Sequence, residues 1–182
     1  AHAILERVSG PLYVGVVNYD VSTANGQERE RGAADAFAAS GRAQITAVVN
    51  TLTEAGQAQE DTAALLTAHP EINVLLALNE PTSVGAARAV EELGLSEEVF
   101  FVGFDSNVVT VDGLQDGSVD ALVVQNPYAM GYLGVESAYQ LLTGQGGSLA
   151  ETVDTSTQVV DRSNLFTLDS QKALFSFEEH LD

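Results

Sequence analysis

Cysteine and tryptophan are absent from this 182-residue sequence, methionine occurs once, and the only lysine is Lys172. Without cysteine there can be no disulfide, thiolate nucleophile or thiolate metal site, and the redox compartment stays open. Basic residues are scarce: 7 Lys and Arg stand against 26 Asp and Glu, for a formal net charge of −19. Phosphate-backbone binding needs clustered Lys and Arg, so nucleic acid and anionic membrane are poor partners. The acidity reads as a solvated surface. No apolar run approaches the ~20 residues of a membrane-spanning helix. The chain opens AHAILERV without a Met, so it is expected to be a processed product, with any export signal lying upstream.

Hydrophobic residues make up 45% of the sequence, enough for one packed domain with a core. They fall in short runs separated by Gly, Asp and Asn. LYVGVVNY (12–19), AQITAVVN (43–50), INVLLALN (72–79), VFFVGFD (99–105) and ALVVQ (121–125) read as strands. Between them, 27–40, 54–69, the segment carrying Ala86, Val90 and Leu93, and 107–116 read as helices, followed by a last one over 128–143. AHAILERV is expected to form a helix before the first strand. Near-continuous Val/Leu/Ile strands alternating with helices predict an α/β fold: a three-layer, Rossmann-like parallel sheet covered on both faces. After Gly147 the rhythm changes. Val153, Thr155, Thr157 and Val159 alternate like an edge or linking strand, and the remaining tail does not continue the βα pattern.

In open parallel α/β sheets, ligands bind beyond the carboxyl ends of the strands. Here those ends carry Tyr19 and Asp20, Asn50, Asn79 and Glu80, Phe104 and Asp105, and Gln125 and Asn126. Arg29, in the first turn of the following helix, faces the same rim. Amides, carboxylates, one planar guanidinium and an aromatic face suit an uncharged polyhydroxylated ligand such as a sugar. Each Asn or Asp taken singly also suits a helix cap or a turn. Gln125 and Arg29 are the two that capping explains least.

Catalytic chemistry finds less support. His2, His69 and His180 are scattered, and no HExxH, GxSxG or GxxxxGK[ST] motif occurs. A carboxylate pair such as Asp20 with Asp105 could in principle serve a glycosidase, a reading with less support than binding. A response-regulator site would want an aspartate where Asn79 stands and a lysine where Gln125 stands. No metal site and no cofactor is expected.

The stretches ERERGAADAF, LLTAHPEINVLLALNEPTSVGAARAVEELG, VFFVGFD and DGSVDALVVQNPYAMGYLGVESA resemble sugar-binding proteins of the periplasmic-binding-protein type. Ribose/galactose solute-binding proteins belong to that group, and lactose-repressor-type effector domains share its fold. The resemblance spans roughly residues 3–165 and implies one lobe of a type I two-lobed fold, with a sugar clamped between the lobes. It carries sugar contacts onto Arg29, Asn79, Asp105 and Gln125. Glu80, Ala33 and the region near Thr53 depart from the family pattern.

The resemblance also implies an extent. Residues 1–126 would be the second, carboxyl-terminal lobe. Residues 127–182 would be a helix, a crossing strand and a tail that normally pack with a first lobe. The helix at 128–143, left without that lobe, is a candidate homodimer surface. The expected function is sugar binding, without catalysis, for an ABC-type carbohydrate importer. The expected location is extracytoplasmic (periplasmic or a cell-surface lipoprotein), with a permease as partner. The alternative is the effector domain of a cytoplasmic regulator or a sensor.

Overall fold

The computed structural model describes residues 1–175. In chain order the elements are α1 (His2–Arg7), β1 (Leu12–Asn18), α2 (Ala24–Ser40), β2 (Ala43–Asn50), α3 (Ala55–Ala68), β3 (Val74–Ala77) and α4 (Glu80–Glu92). Then follow β4 (Phe100–Phe104), α5 (Val108–Asp116), β5 (Ala121–Val124), α6 (Pro127–Leu142), β6 (Gln158–Asp161) and α7 (Leu168–Leu174). One sheet has the order β2-β1-β3-β4-β5-β6. The first five strands are parallel, as the sequence predicts. β6 closes the edge antiparallel to β5, pairing Leu122 with Val160 and Val124 with Gln158.

The period of two along each strand sorts the core into two layers. Leu12, Val14 and Val16 of β1 with Val74 and Leu76 of β3 face Ile4 of α1 and Phe37 of α2. Leu75, Ala77, Phe101 and Leu122 face the opposite way, against Leu65 of α3, Val90 of α4 and Leu114 of α5. Phe37 and Phe101, one in each layer, are among the largest fully buried side chains. The α3–α4 pair is close-packed because residue 85 is glycine: a Cβ there would lie 2.5 Å from the Ala55 carbonyl and the Ala58 methyl.

Helix starts are set by small polar residues. Thr23 caps α2, Asn79 caps α4, Asn107 caps α5 and Asn126 caps α6, each accepting a backbone N–H in the first turn. Both Asn79 with Thr82 and Asn107 with Thr110 form reciprocal capping boxes.

The segment after residue 126 divides. Val160 of β6, Leu165 and Leu174 of α7 are buried in the core of this same sheet. α6 buries none of its residues: Tyr128, Tyr132, Val135, Tyr139 and Leu142 are all exposed. Leu93 follows Ala86 and Val90 at the i, i+4, i+7 spacing of a buried helix face, but as the C-cap of α4 it is exposed, whereas Ala86 and Val90 are fully buried. Among the described residues, no helix is long and apolar enough to cross a membrane. His180 lies outside the described residues.

Candidate functional site

β3 ends at Ala77, and the next two residues decide what the rim can present. The Leu78 carbonyl, beyond the ladder, accepts a hydrogen bond of 2.5 Å from Arg29 Nη1. Arg29 reaches it from the first half of α2, and its guanidinium carbon lies 4.7 Å from the Phe104 ring centroid and 5.9 Å from that of Tyr19. Both distances are within the range of cation–π attraction.

Asn79 is the N-cap of α4. Its Oδ1 accepts from Thr82 N at 3.0 Å, so this oxygen is committed to the helix and the amide NH2 is the group left for a ligand. Ser83, fully buried one turn in, donates to the Asn79 carbonyl at 2.7 Å and accepts from Phe104 N at 2.8 Å. It thereby fastens the end of β4 to the start of α4. Glu80 accepts from Asn107 Nδ2 at 2.7 Å, joining the starts of α4 and α5. That commits one Glu80 oxygen to holding loops together.

On the next two strands, Asp105 and Gln125 form a pair. Gln125 Nε2 donates to Asp105 Oδ1 at 2.6 Å, and Asp105 N donates to Val123 O at 2.9 Å. Asp105 has φ 62°, a left-handed conformation that costs a side-chain-bearing residue energy and re-aims its carboxylate. Arg29, Phe104, Asn79, Asp105 and Gln125 thus gather over β3, β4 and β5.

The other two predicted residues lie to one side. β1 ends at Asn18, and Asp20 is already in the loop. There its Oδ1 accepts from Ser22 N at 2.8 Å and Ser22 Oγ at 2.6 Å. Those two bonds hold the exposed carboxyl below its ordinary pKa. Asn50 is exposed at the end of the edge strand β2, in register with Asn18 and with β1 and β3 between it and β4.

Two positions escape a reading of strand ends. Asn18 is fully buried: Nδ2 donates to Glu30 Oε2 at 2.8 Å and Gly26 O at 3.2 Å, and Oδ1 accepts from Tyr19 N at 2.8 Å. Ser83 is the other. Asn18 could have been found as the last polar residue of an unbroken apolar run. Ser83, inside a helix, gives no such signal.

A cleft of about 270 Å3 opens beside Arg29 and Phe104, floored by Leu76, Leu78 and Val123 and flanked by Ala1 to Ala3 and Val159. A second cavity, about 590 Å3, lies at the opposite ends of the strands, around Asn73, Glu97, Asp120 and Arg162. None of the predicted site residues lines it. Burial raises the Asp120 carboxyl pKa there, against the pull of the Phe101 N–H and Arg162. Among the described residues, no group of three or more His, Cys, Asp or Glu is placed to hold a metal ion.

The periplasmic binding protein domain family model matches residues 1–146. The D-ribose/D-allose-binding protein of Pseudomonas aeruginosa is 32% identical over 132 residues, covering 72% of this chain and 41% of that protein. The ribose import binding protein RbsB of Escherichia coli K12 is 38% identical over 81 residues, covering 44% of this chain and 27% of that protein. An ABC transporter solute-binding protein from Agrobacterium vitis, solved with bound D-fucose, superposes with a TM-score of 0.88 at 26% identity, covering 96% of this chain and 59% of that one. GanP, a glucose-galactose binding protein from Geobacillus stearothermophilus, gives 0.86 at 28% identity, covering 90% and 58%. The chain therefore spans less than two thirds of each of these proteins. Because the family match takes in every element from α1 to α6, the rim included, the chain belongs to the periplasmic binding protein domain family.

Proposed function

We propose that this chain is a sugar-binding lobe of an ABC-type carbohydrate importer's solute-binding protein. The observation that carries the reading is the rim over β3–β5. There a guanidinium, a free amide NH2, a carboxylate and a second amide converge beside an aromatic ring. That set offers donors and acceptors in alternation and no net charge, which matches adjacent hydroxyls on a ring. The relatives' names point the same way: ribose, allose, fucose, glucose and galactose are all neutral monosaccharides. They are solute-binding and import proteins, which favours the importer over a regulator. In this reading the protein is extracytoplasmic and non-enzymatic, and a permease is its partner.

The rim is open on the side away from the sheet, so residues 1–126 act as one jaw. A second lobe would close it and cover α6. A net hydrogen bond contributes about 0.5–1.5 kcal/mol, and roughly 1.5–3 to a charged group. Four such groups, less the cost of association, leave about the 4 kcal/mol of a millimolar complex.

The test is an amide NMR titration with ribose, allose and a panel of other pentoses and hexoses, to tens of millimolar. Saturable shifts at Asn79, Asp105 and Gln125 for a subset of sugars are expected. Saturable shifts confined to the Asp120–Arg162 cavity, or none for any sugar, overturn this assignment of the rim.

A further inference from the structure

We infer that Tyr19 is a positioning residue for Arg29, holding its guanidinium so that it donates from its edge to two neighbouring ligand oxygens. The inference takes the rim as a sugar site and adds the device that orients its one cation.

The geometry rests on strand order. Tyr19 follows β1 and Phe104 ends β4, and these strands lie on either side of β3. Arg29 bonds the Leu78 carbonyl at the end of that middle strand. Two strand spacings are about 9.6 Å, comparable with the separate distances of 5.9 and 4.7 Å from the guanidinium to the two rings. Tyr19 and Phe104 also pack against the same core layer, so both rings rise on the face that α2 covers. The guanidinium therefore lies between them.

The Tyr19 ring is itself fixed. Its hydroxyl donates to Asn25 Oδ1, and its backbone N–H donates to the buried Asn18 side chain. The loop behind it is strapped by Thr23 Oγ1 to Asp20 O at 2.8 Å and Gln27 Nε2 to Val21 O at 2.7 Å. The hydroxyl bond ties the outer end of the ring to the start of α2 and keeps it beside the arginine rather than free to stack on a sugar. In that position it walls the guanidinium. With one nitrogen on Leu78 and rings on both sides, the free N–H groups point along one plane. A fork held in a plane selects two oxygens on neighbouring ring carbons and discriminates against a ligand lacking one of them.

The test has two arms. In the first, the side-chain Nε–Hε resonance of Arg29 is followed by NMR without any sugar. Ring currents should place it upfield of the other arginines and slow its exchange with water. Tyr19→Leu should move it downfield and speed exchange, while Tyr19→Phe, which keeps the ring, should restore the shift. Amide shifts at Leu76 and Val102 control for folding, and Tyr19→Met provides a second variant should Tyr19→Leu misfold. An Arg29 resonance unchanged in whichever of the two folds overturns the inference.

The second arm uses a sugar that binds the parent chain. Tyr19→Leu should weaken it about three- to tenfold, the scale of one partly desolvated cation–π contact. It should also shrink the preference for that sugar over its monodeoxy analogues. A uniform loss for all of them would assign Tyr19 a contact of its own and overturn the positioning role. Failure of every sugar to bind would count against the functional reading, and the first arm would still decide the role of Tyr19.

Discussion

Gln125 Nε2 and Asp105 Oδ1 meet at 2.6 Å across β5 and β4, and Asp105 holds its side of the bond from a left-handed backbone. The two facts belong together. A β-region aspartate at the end of a strand would send its carboxylate elsewhere, so the position at 105 trades backbone comfort for aim. Asp105→Gly should therefore keep stability within about 1 kcal/mol of the parent, because glycine takes φ 62° freely. Asp105→Val, which is β-branched, should lose more. Urea denaturation ranks the two. Asp105→Gly should also abolish the sugar-dependent shift at Gln125, which separates stability from binding at one residue.

Asn79 carries two roles that a pair of substitutions can divide. Its oxygen caps α4 and its NH2 is free for a ligand. Asn79→Ala should cost about 1 kcal/mol, the usual price of a lost N-cap. Asn79→Asp keeps a capping oxygen and puts a negative charge at the helix N-terminus, so its midpoint in urea should match or exceed the parent's. It removes the donor, however, and its sugar titration should go flat. An Asn79→Asp chain that still binds would reduce Asn79 to a cap.

The parallel sheet was legible because β1 and β3–β5 are apolar on both faces, a pattern that half-exposed strands do not show. β6 was less so: only Gln158–Asp161 pairs with β5, and the alternation that marks it starts five residues earlier, at Val153. The rim was legible as a set of residue types. What each does was not, since capping and ligand binding use the same oxygens and amides. Asn79 shows both possibilities in one side chain. The roles of Asn18 and Ser83 stayed hidden because their partners, Glu30 and Phe104, are 12 and 21 residues away, and only the folded chain brings them together. Asp20 lies apart from the rim for a local reason: Ser22, two residues on, gives its carboxylate an Asx-turn partner.

Two carboxylates should give stability opposite slopes with pH. Burial alone would raise Asp161, but the Ser163 hydroxyl, Arg7 at 2.6 Å and the Ser163 N–H bring it below the ordinary value. A carboxyl depressed by folding stabilises above the unfolded pKa of about 3.9, and that stability is lost as pH falls through the folded value. Asp120 is raised, so the folded state holds its proton more tightly, and its contribution improves as pH falls through its folded value toward the ordinary one. Asp120→Asn should flatten the upper part of a pH–stability curve. Asp161→Asn should flatten the acid limb and cost about 1 kcal/mol at neutral pH, since the pair is only partly shielded from water. Urea midpoints between about pH 3 and 7 check both.

The last expectation concerns α6. Tyr128, Tyr132, Val135, Tyr139 and Leu142 are spaced alternately four and three residues apart, which puts them on one stripe of a helix about 24 Å long. Tyr128 and Tyr132 stack on each other with centroids 6.4 Å apart, and none of the five is buried. Because the stripe is exposed along its length, replacing Tyr132, Val135 and Tyr139 with Glu should leave the unfolding midpoint within about 0.5 kcal/mol of the parent. The same change should abolish any self-association seen by sedimentation equilibrium, since the net charge of −19 already opposes it. A parent that is monomeric at every concentration would remove the second copy as the cover of this face and leave a second lobe. A triple variant that unfolds early would mean that α6 packs on this domain, contrary to its exposure here.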